Sequence, residues 1–386
     1  MAKLARGGRR TTEAKHTESR VDQAGELRSA RIESLRAVAA LGVLVGHAAV
    51  ISPAIGPDYL HDVLVGGGFG VYLFFTLSGY LLFWPFARRD YGDGDSIDIR
   101  RYALNRALRI LPLYYVVLVV LMIVKEGGGT LEQWLLFASF SENFSTGTFA
   151  TVNGVMWSLV VELHFYALLP LLALGLARVS GGSIRRAALV LGALAAASVT
   201  LRLFTFWLDD TPNLYVRYSI FSLFFFFVSG MALALARVAW REGTPAWLRG
   251  PLRSSSAWCA AALALMLLVW SDYYLEGLTA VAGFLLVGAC VLPLRPGRVL
   301  RALEWRWLAV IGIASYSLYM WHAPIVIDLI GPADLGFLGL LAAGGAASLA
   351  IAFASYRLVE VPFLRLRRRW ARSSPAPSPP LQRAGS

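Results

Sequence analysis

Apolar runs alternate with short polar segments along most of the chain. Runs of this length match the stretch that an α-helix needs to cross the hydrocarbon core of a bilayer. We therefore predict an all-α fold, a polytopic membrane helical bundle of about ten transmembrane helices. The predicted spans lie at about 33–51, 65–86, 103–124, 154–177, 186–206, 216–238, 255–271, 277–294, 307–329 and 336–359.

The composition excludes an ordinary soluble domain. Of 386 residues, 57% are hydrophobic and 16% are charged, and the mean hydropathy is +0.59. A net charge of +12 raises the question of nucleic acid, but the basic residues form short clusters between apolar runs. Membrane topology explains that pattern better, so the expected partner is the lipid bilayer and not nucleic acid. Cys259 and Cys290 fall inside apolar runs and are expected to be packing residues, neither a disulfide nor a metal site.

The distribution of basic residues predicts the orientation in the membrane. With ten spans, every Lys and Arg except Lys125, Arg202 and Arg217 falls within or beside the segments on one side. Because positive loops stay in the cytoplasm, that side is predicted to be the cytoplasmic one. We expect a multi-pass protein of the cell membrane with both termini cytoplasmic.

The polar ends of the chain differ from its middle. Residues 1–31 predict a disordered, basic cytoplasmic tail with no cleaved signal peptide, and residues 367–386, which contain SSPAPSPP, a second disordered cytoplasmic tail. Residues 32–366 form the membrane domain. In the long loop Lys125–Asn153, the segment LEQWLLFASF is apolar but too short to span, which predicts an interfacial or re-entrant piece.

Arg36 and His47 are the first candidates for chemistry. They stand eleven residues apart in the first span, which places them on nearly the same helix face about 16 Å apart. An ionisable residue inside a span commonly faces a polar cavity and marks a functional site. The structural alternative is that Arg36 is a boundary charge and His47 a hydrogen-bonded packing residue.

Two further ionisable groups are predicted at a depth similar to that of His47. Glu162 lies in WSLVVELHFY of the inward-running fourth span, and His322 lies in SYSLYMWHAP near the outer end of the ninth. Their convergence favours one shared cavity, in which a carboxylate orients the imidazole of a general base. Each could instead be a buried group held by Ser, Tyr or Trp, and Glu162 could pair with Arg or relay protons. His164 points to another face and is read as packing.

At the cytoplasmic end of the third span, Arg106 and Arg109 stand side by side. Their i, i+3 spacing suits bidentate binding of phosphates, and Arg36 is expected at the same depth. The alternative is that these arginines only mark topology or bind anionic lipid headgroups.

The second span contains GGGFGVYLFFTLSGY, which is rich in small residues. Gly66–Gly68, Gly70 and Gly79 allow close helix approach, and Ser78 is placed to hydrogen-bond across helices. A serine nucleophile is a weaker interpretation, because LSGY lacks the flanking glycine of a nucleophile elbow.

In the order and spacing of these motifs, the chain resembles the acyltransferase 3 family of integral membrane acyltransferases. The resemblance covers residues 31–366: Arg36 to His47, GVYLFFTLSGY, Arg106 to Arg109, WSLVVELHFY, SYSLYMWHAP and VEVPFLR around Glu360. It implies about ten transmembrane helices and transfer of an acyl group, expected to be acetyl, from cytosolic acyl-CoA, a co-substrate and not a bound cofactor. The acceptor would be a hydroxyl of a sugar, cell-surface glycan or glycosylated metabolite such as a macrolide.

The resemblance also implies roles for individual residues. His47 matches the histidine of the family and would act as general base, with Glu162 as its acidic partner; a two-step route through acyl-histidine stays open. Arg36, Arg106 and Arg109 would bind acyl-CoA, while His322, Tyr319 and Ser78 are further candidates for catalysis or acceptor binding. No metal is expected.

Two other functional classes stay open from the residues. A secondary transporter could use a path lined by His and Glu, although neither related halves nor broken helices are evident in the sequence. A scaffold would leave the buried charges unexplained. The sequence selects neither the acceptor, the acyl chain length nor the oligomeric state.

Overall fold

The fold is a bundle of α-helices, described here from a computed structural model. The structure describes residues 30–52, 56, 58–207, 213–241, 243–269 and 277–373. Within these ranges the chain forms helices and turns and no strand. The all-α fold class is therefore confirmed. Nearly all of the expected N-terminal tail, and the C-terminal tail after residue 373, lie outside the described residues.

Seventeen helices occur in the described ranges, several of them short. In chain order they are α1 Ala30–Val50, α2 Asp58–Val65, α3 Gly70–Tyr91, α4 Ile99–Val124, α5 Leu131–Ala138, α6 Met156–Ser180, α7 Ile184–Trp207, α8 Asn213–Arg217, α9 Ile220–Ala239, α10 Ser255–Val269, α11 Gly277–Val291, α12 Arg298–Ala302, α13 Arg306–Ile313, α14 Ser315–Ala323, α15 Gly336–Gly339, α16 Gly345–Ser355 and α17 Val361–Ser373. Wider π-helical turns lengthen α14 and join α15 to α16 and α16 to α17.

Seven of these helical stretches are long and apolar enough to cross a membrane. They are Ala30–Val50, Leu60–Tyr91, Ile99–Val124, Met156–Ser180, Ile184–Phe206, Leu214–Ala239 and Gly336–Arg367. A bent pair, α13 with α14 and its extension, provides an eighth if it is one span. The seventh and eighth predicted runs, 255–271 and 277–294, correspond to α10 and α11, which have only 15 residues each.

The ninth predicted span is broken, although the sequence was read as one straight helix over 307–329. Between Ile313 and Ser315 the chain bends by 65°. Gly312, just before the bend, lies so close to α1 that a Cβ there would be 1.8 Å from the Glu33 carbonyl oxygen. This close contact fixes the bend beside Arg36.

The close packing of α3 on α9 confirms the predicted use of small residues. A Cβ on Gly79 would be 2.1 Å from the Phe227 carbonyl oxygen, and one on Gly230 would be 2.0 Å from the Thr76 carbonyl oxygen. Thr76 also donates a hydrogen bond from its hydroxyl to the Phe226 carbonyl oxygen at 3.3 Å. Because only glycine permits this approach, the two helices form one rigid wall of the bundle.

Three further predictions from the sequence concern the loop after α4, the two cysteines and the C-terminal helix. The apolar loop segment forms the short helix α5, capped at its N-terminus by a Thr130–Gln133 capping box. Cys259 and Cys290 are buried and free of disulfides. The chain stays helical through Ser373, past residue 366, where we placed the end of the membrane domain. The sequence predicts too early an end for this helix because its last turns are polar and basic and so continue no apolar run.

Candidate active site

A narrow cavity lies inside the bundle between α1, α3, α4, α6 and α14. Its volume is about 90 Å³, well below the roughly 300–1,000 Å³ of a typical ligand pocket, so it fits a thin chain better than a ring. On α3 its lining runs from Val71 to Leu82, and eleven residues of helix span about 16 Å. The cavity is therefore a slot along the bundle axis.

Three arginines line one end of the slot, as the sequence predicted. Arg36 comes from α1, and Arg106 and Arg109 come from α4. Arg36 donates from Nε to the Ser315 hydroxyl at 3.2 Å and lies 3.5 Å from a Glu33 carboxylate oxygen. The bend before Ser315 is what brings this hydroxyl to Arg36.

The two arginines of α4 have different surroundings. Arg109 forms an ion pair with Glu360, whose carboxylate oxygen lies 2.6 Å from Nη1 and which is itself only 3% exposed. Ser317 donates to the other oxygen of Glu360 at 2.6 Å. By contrast, Arg106 Nε is buried and has no hydrogen-bond partner in the part of the chain that the structure describes. An unsatisfied buried donor facing a cavity is costly and would gain from an anionic ligand.

Glu360 is a site residue that reasoning from residue type alone had not selected. It entered only as part of a motif, yet it holds Arg109 from the opposite side of the cavity wall. A signal was present in the sequence, because Glu360 is a carboxylate at the end of an apolar run. Such a group needs a buried partner.

Glu162 lies in the same cavity, but its partner differs from the one we expected. Ser78 on α3 donates a short hydrogen bond to a Glu162 carboxylate oxygen. This contact confirms that Ser78 hydrogen-bonds across helices. It corrects the expectation that Glu162 pairs with His47, because the side chain that donates to Glu162 is on α3, and His47 faces His322.

His47 is instead paired with His322. The two rings lie 5.0 Å apart between centroids, and His322 Nε2 is 3.1 Å from His47 Nδ1. His322 Nδ1 faces two backbone carbonyls, those of Tyr319 at 2.7 Å and Leu318 at 3.2 Å. A carbonyl only accepts, so Nδ1 of His322 carries the proton.

This assignment fixes the tautomer of the second ring when both rings are neutral. Nε2 of His322 then has a lone pair and accepts a hydrogen bond, so Nδ1 of His47 is the donor, shared with the Val43 carbonyl at 3.0 Å. The other ring nitrogen of His47, Nε2, is left unprotonated. It has no hydrogen-bond partner among the described residues.

Tyr319 lies beside both the slot and the histidine pair. Its side chain lines the slot, while its ring centroid is 5.6 Å from that of His322. Its hydroxyl is held by the Ser158 hydroxyl at 2.6 Å and donates to the Val155 carbonyl at 3.2 Å. Neither His47 nor His322 is among the residues that line the slot, so Tyr319 is the side chain that adjoins both the slot and His322.

His164 lies outside this arrangement. His164 lines a separate apolar groove on the α6 surface with residues such as Leu168 and Phe221. Within the described ranges, no group of three His, Cys, Asp or Glu side chains could hold a metal ion.

The comparisons with known proteins identify the family. The family model described as "Acyltransferase domain" matches residues 29–357, most of the chain. The chain belongs to the acyltransferase 3 family. Membership of this family favours acyl transfer in the membrane over the carrier and scaffold alternatives.

Curated relatives of this acyltransferase include proteins of two lengths. The exopolysaccharide production protein ExoZ of Rhizobium meliloti is 30% identical over 80% of this chain and 92% of ExoZ. The peptidoglycan O-acetyltransferase OatA of Listeria monocytogenes is 25% identical over 86% of this chain and 55% of OatA. YrhL of Bacillus subtilis is 28% identical over 77% of this chain and 48% of YrhL. The chain thus spans about half the length of OatA and YrhL. No solved structure matches it.

Proposed function

We propose that this acyltransferase moves an acetyl group from cytosolic acetyl-CoA to a hydroxyl of a sugar, cell-surface glycan or glycosylated metabolite. The observation that carries the proposal is the free Nε2 of His47, near an arginine-lined slot. The names of OatA, a peptidoglycan O-acetyltransferase, and ExoZ, an exopolysaccharide production protein, support a glycan acceptor.

The donor would bind by its phosphates at the arginine end. Arg106 offers an unpaired buried donor, and Arg36 and Arg109 add positive charge beside it. Guanidinium groups bind phosphate oxygens through charge-assisted hydrogen bonds. The slot fits the thin arm that joins the phosphates to the thioester, so the acetyl end would reach toward Tyr319 and His47.

His47 would then act as general base. Its Nε2 takes the proton of the acceptor hydroxyl, whose oxygen attacks the thioester carbonyl carbon. The new C–O bond forms, the C–S bond breaks, and the proton passes from His47 to the departing CoA thiolate. While His47 is charged, His322 Nε2 accepts from its Nδ1 and steadies it, the role that we first gave to Glu162.

Glu162 has a different part in this proposal. Glu162 lines the same slot as the three arginines, and its carboxylate is held by Ser78. It would limit the repulsion among these cations when no donor is bound, and it would orient the donor arm.

The proposed topology places ten spans in the membrane with both termini in the cytoplasm. The arginine end of the slot would then open toward the cytosol, where acetyl-CoA is made. The histidine pair would lie in the outer half of the bilayer, within reach of an acceptor outside. This orientation rests on the positive-inside rule.

The test is acetyl transfer in membranes that contain the native acceptor. Membranes with the wild-type protein should release CoA from labelled acetyl-CoA and retain the label in glycan, and His47→Ala should abolish both. His164→Ala, which removes a histidine outside the slot, is the matched control and should keep activity. Full activity of His47→Ala would refute the base assignment, while uptake of label without CoA release would refute the reaction.

A further inference from the structure

Two aromatic rings that line the slot together suggest a role in choosing the acyl group. Phe74 of α3 and Tyr319 of α14 both line the slot, and their ring centroids lie 5.9 Å apart with the planes nearly perpendicular, at 71°. Such an edge-to-face pair is a favoured packing geometry. Phe74 lies beside Arg36, whose guanidinium carbon is 5.9 Å from the Phe74 ring centre, and Tyr319 lies beside His322, with ring centroids 5.6 Å apart.

Neither ring can easily move aside. Tyr319 is 5% exposed and is anchored by its hydroxyl to Ser158 and to the Val155 carbonyl. The backbone under Phe74 is fixed one turn earlier, because Gly70 packs so tightly on α1 that a Cβ would be 2.1 Å from the Ala39 carbonyl oxygen. A longer acyl chain would therefore have to displace an anchored ring or separate two helices in contact.

We propose that Phe74, packed against Tyr319, is the residue that restricts the donor to short acyl groups of two or three carbons. The inference rests on the proposed function, since it takes the phosphates to lie at the arginines and the thioester to lie at the other end of the slot. An acetyl group fits beside the two rings with its carbonyl toward His47. Each further methylene would point into the Phe74 ring.

The test is binding of acyl-CoAs of different length to the purified full-length protein in lipid nanodiscs. CoA, acetyl-CoA and hexanoyl-CoA compete with radiolabelled acetyl-CoA. We expect the wild-type protein to bind acetyl-CoA at least tenfold more tightly than hexanoyl-CoA. In Phe74→Ala the preference for acetyl-CoA over hexanoyl-CoA should fall below twofold. The truncated side chain leaves apolar space for the longer acyl chain, and each methylene buried there improves affinity about fourfold. Affinity for CoA itself should change less than twofold.

A matched control is available on the same helix. Phe83 is fully buried on α3 but does not line the slot, so Phe83→Ala should keep the wild-type ratio. Phe74→Leu, a smaller truncation, serves if Phe74→Ala does not fold, and should accept butyryl-CoA. Ser158→Ala removes one of the two hydrogen-bond partners of the Tyr319 hydroxyl and should also lower the preference for acetyl-CoA over hexanoyl-CoA.

The possible failures are distinct. If Phe74→Ala or Phe74→Leu binds acetyl-CoA but keeps the wild-type discrimination, the role of Phe74 is refuted and the proposed function stands. If the wild-type protein binds none of the three compounds, acyl-CoA is not the donor, and both the proposed function and the role of Phe74 are refuted. Equal binding of acetyl-CoA and hexanoyl-CoA by the wild-type protein also refutes the inference.

Discussion

At the residue scale, the two histidines differ in what their ring nitrogens face. Both ring nitrogens of His322 have partners inside the protein, whereas one ring nitrogen of His47 has none among the residues that the structure describes. Proton transfer needs a free lone pair on a ring whose orientation is fixed. We therefore assign the role of general base to His47 and the role of a positioning residue to His322.

This difference separates the effects of changing His322 and Glu162. We expect His322→Ala to lower the maximal rate of acetyl transfer about 100-fold with little change in the KM for acetyl-CoA, because His47 loses the acceptor for its Nδ1 proton. His322→Asn keeps a carbonyl acceptor and should recover part of the rate. Glu162→Gln should change mainly KM; a 100-fold lower rate at unchanged KM would instead make Glu162 the partner of the base.

A second prediction concerns the arginines of α4. Arg106→Ala should raise the KM for acetyl-CoA about tenfold, because its buried unpaired Nε is the donor best placed to gain a phosphate partner. Arg101→Ala removes an exposed arginine at the start of the same helix and should leave KM unchanged. Equal effects of both variants in the membrane assay would mean that the cluster acts only through its overall charge.

At the scale of elements, hydrophobic periodicity predicted most helices but not the break in the ninth span. The length of an apolar run predicts a membrane span, and the spacing of residues within the run predicts which helix face they share. Arg36, Arg106 and Arg109 could therefore be placed together from the sequence. The bend before Ser315 comes from the packing of Gly312 on α1, a contact between residues far apart in sequence. The partner of Glu162 was missed for the same reason, since depth in a membrane does not say which way a side chain points.

The contact between α3 and α9 allows a direct test of how tightly the bundle is packed. Gly230→Ala places a methyl group 2.0 Å from the Thr76 carbonyl oxygen, so the helices must separate. We expect a loss of about 1–3 kcal/mol of stability, measured by thermal unfolding in detergent. Gly192→Ala on α7 meets no atom within 4 Å and should be neutral or slightly stabilising. Equal stability of the two variants would contradict the tight contact.

At the scale of the whole molecule, stability should depend on pH through the loop between α4 and α6. Glu142 there is 1% exposed, and burial raises its pKa from an ordinary 4.5 to about 8. The folded protein therefore holds a proton that the unfolded chain has lost between these two values. Stability should fall as pH rises through that window, by at most about 1.4 kcal/mol per pH unit.

Glu142→Gln removes this titration and should flatten the dependence of unfolding temperature on pH between about 5 and 8. The exposed Glu132 of α5 lies in the same loop, and Glu132→Gln should keep the wild-type slope. A variant at Glu142 that retains the full slope would show that other groups cause it.

The contact between α3 and α9 also has a consequence for how the chain is made. Thr76 and Phe226, which it joins, are 150 residues apart. At roughly 5–20 residues per second, a ribosome needs on the order of ten seconds to make that stretch. During that time α3 is already synthesised without its partner, and the slot lacks its rigid wall. The donor site is therefore a late product of biosynthesis, because it needs α9 behind α3 and then α14, which contributes Ser315 and Tyr319 to the slot.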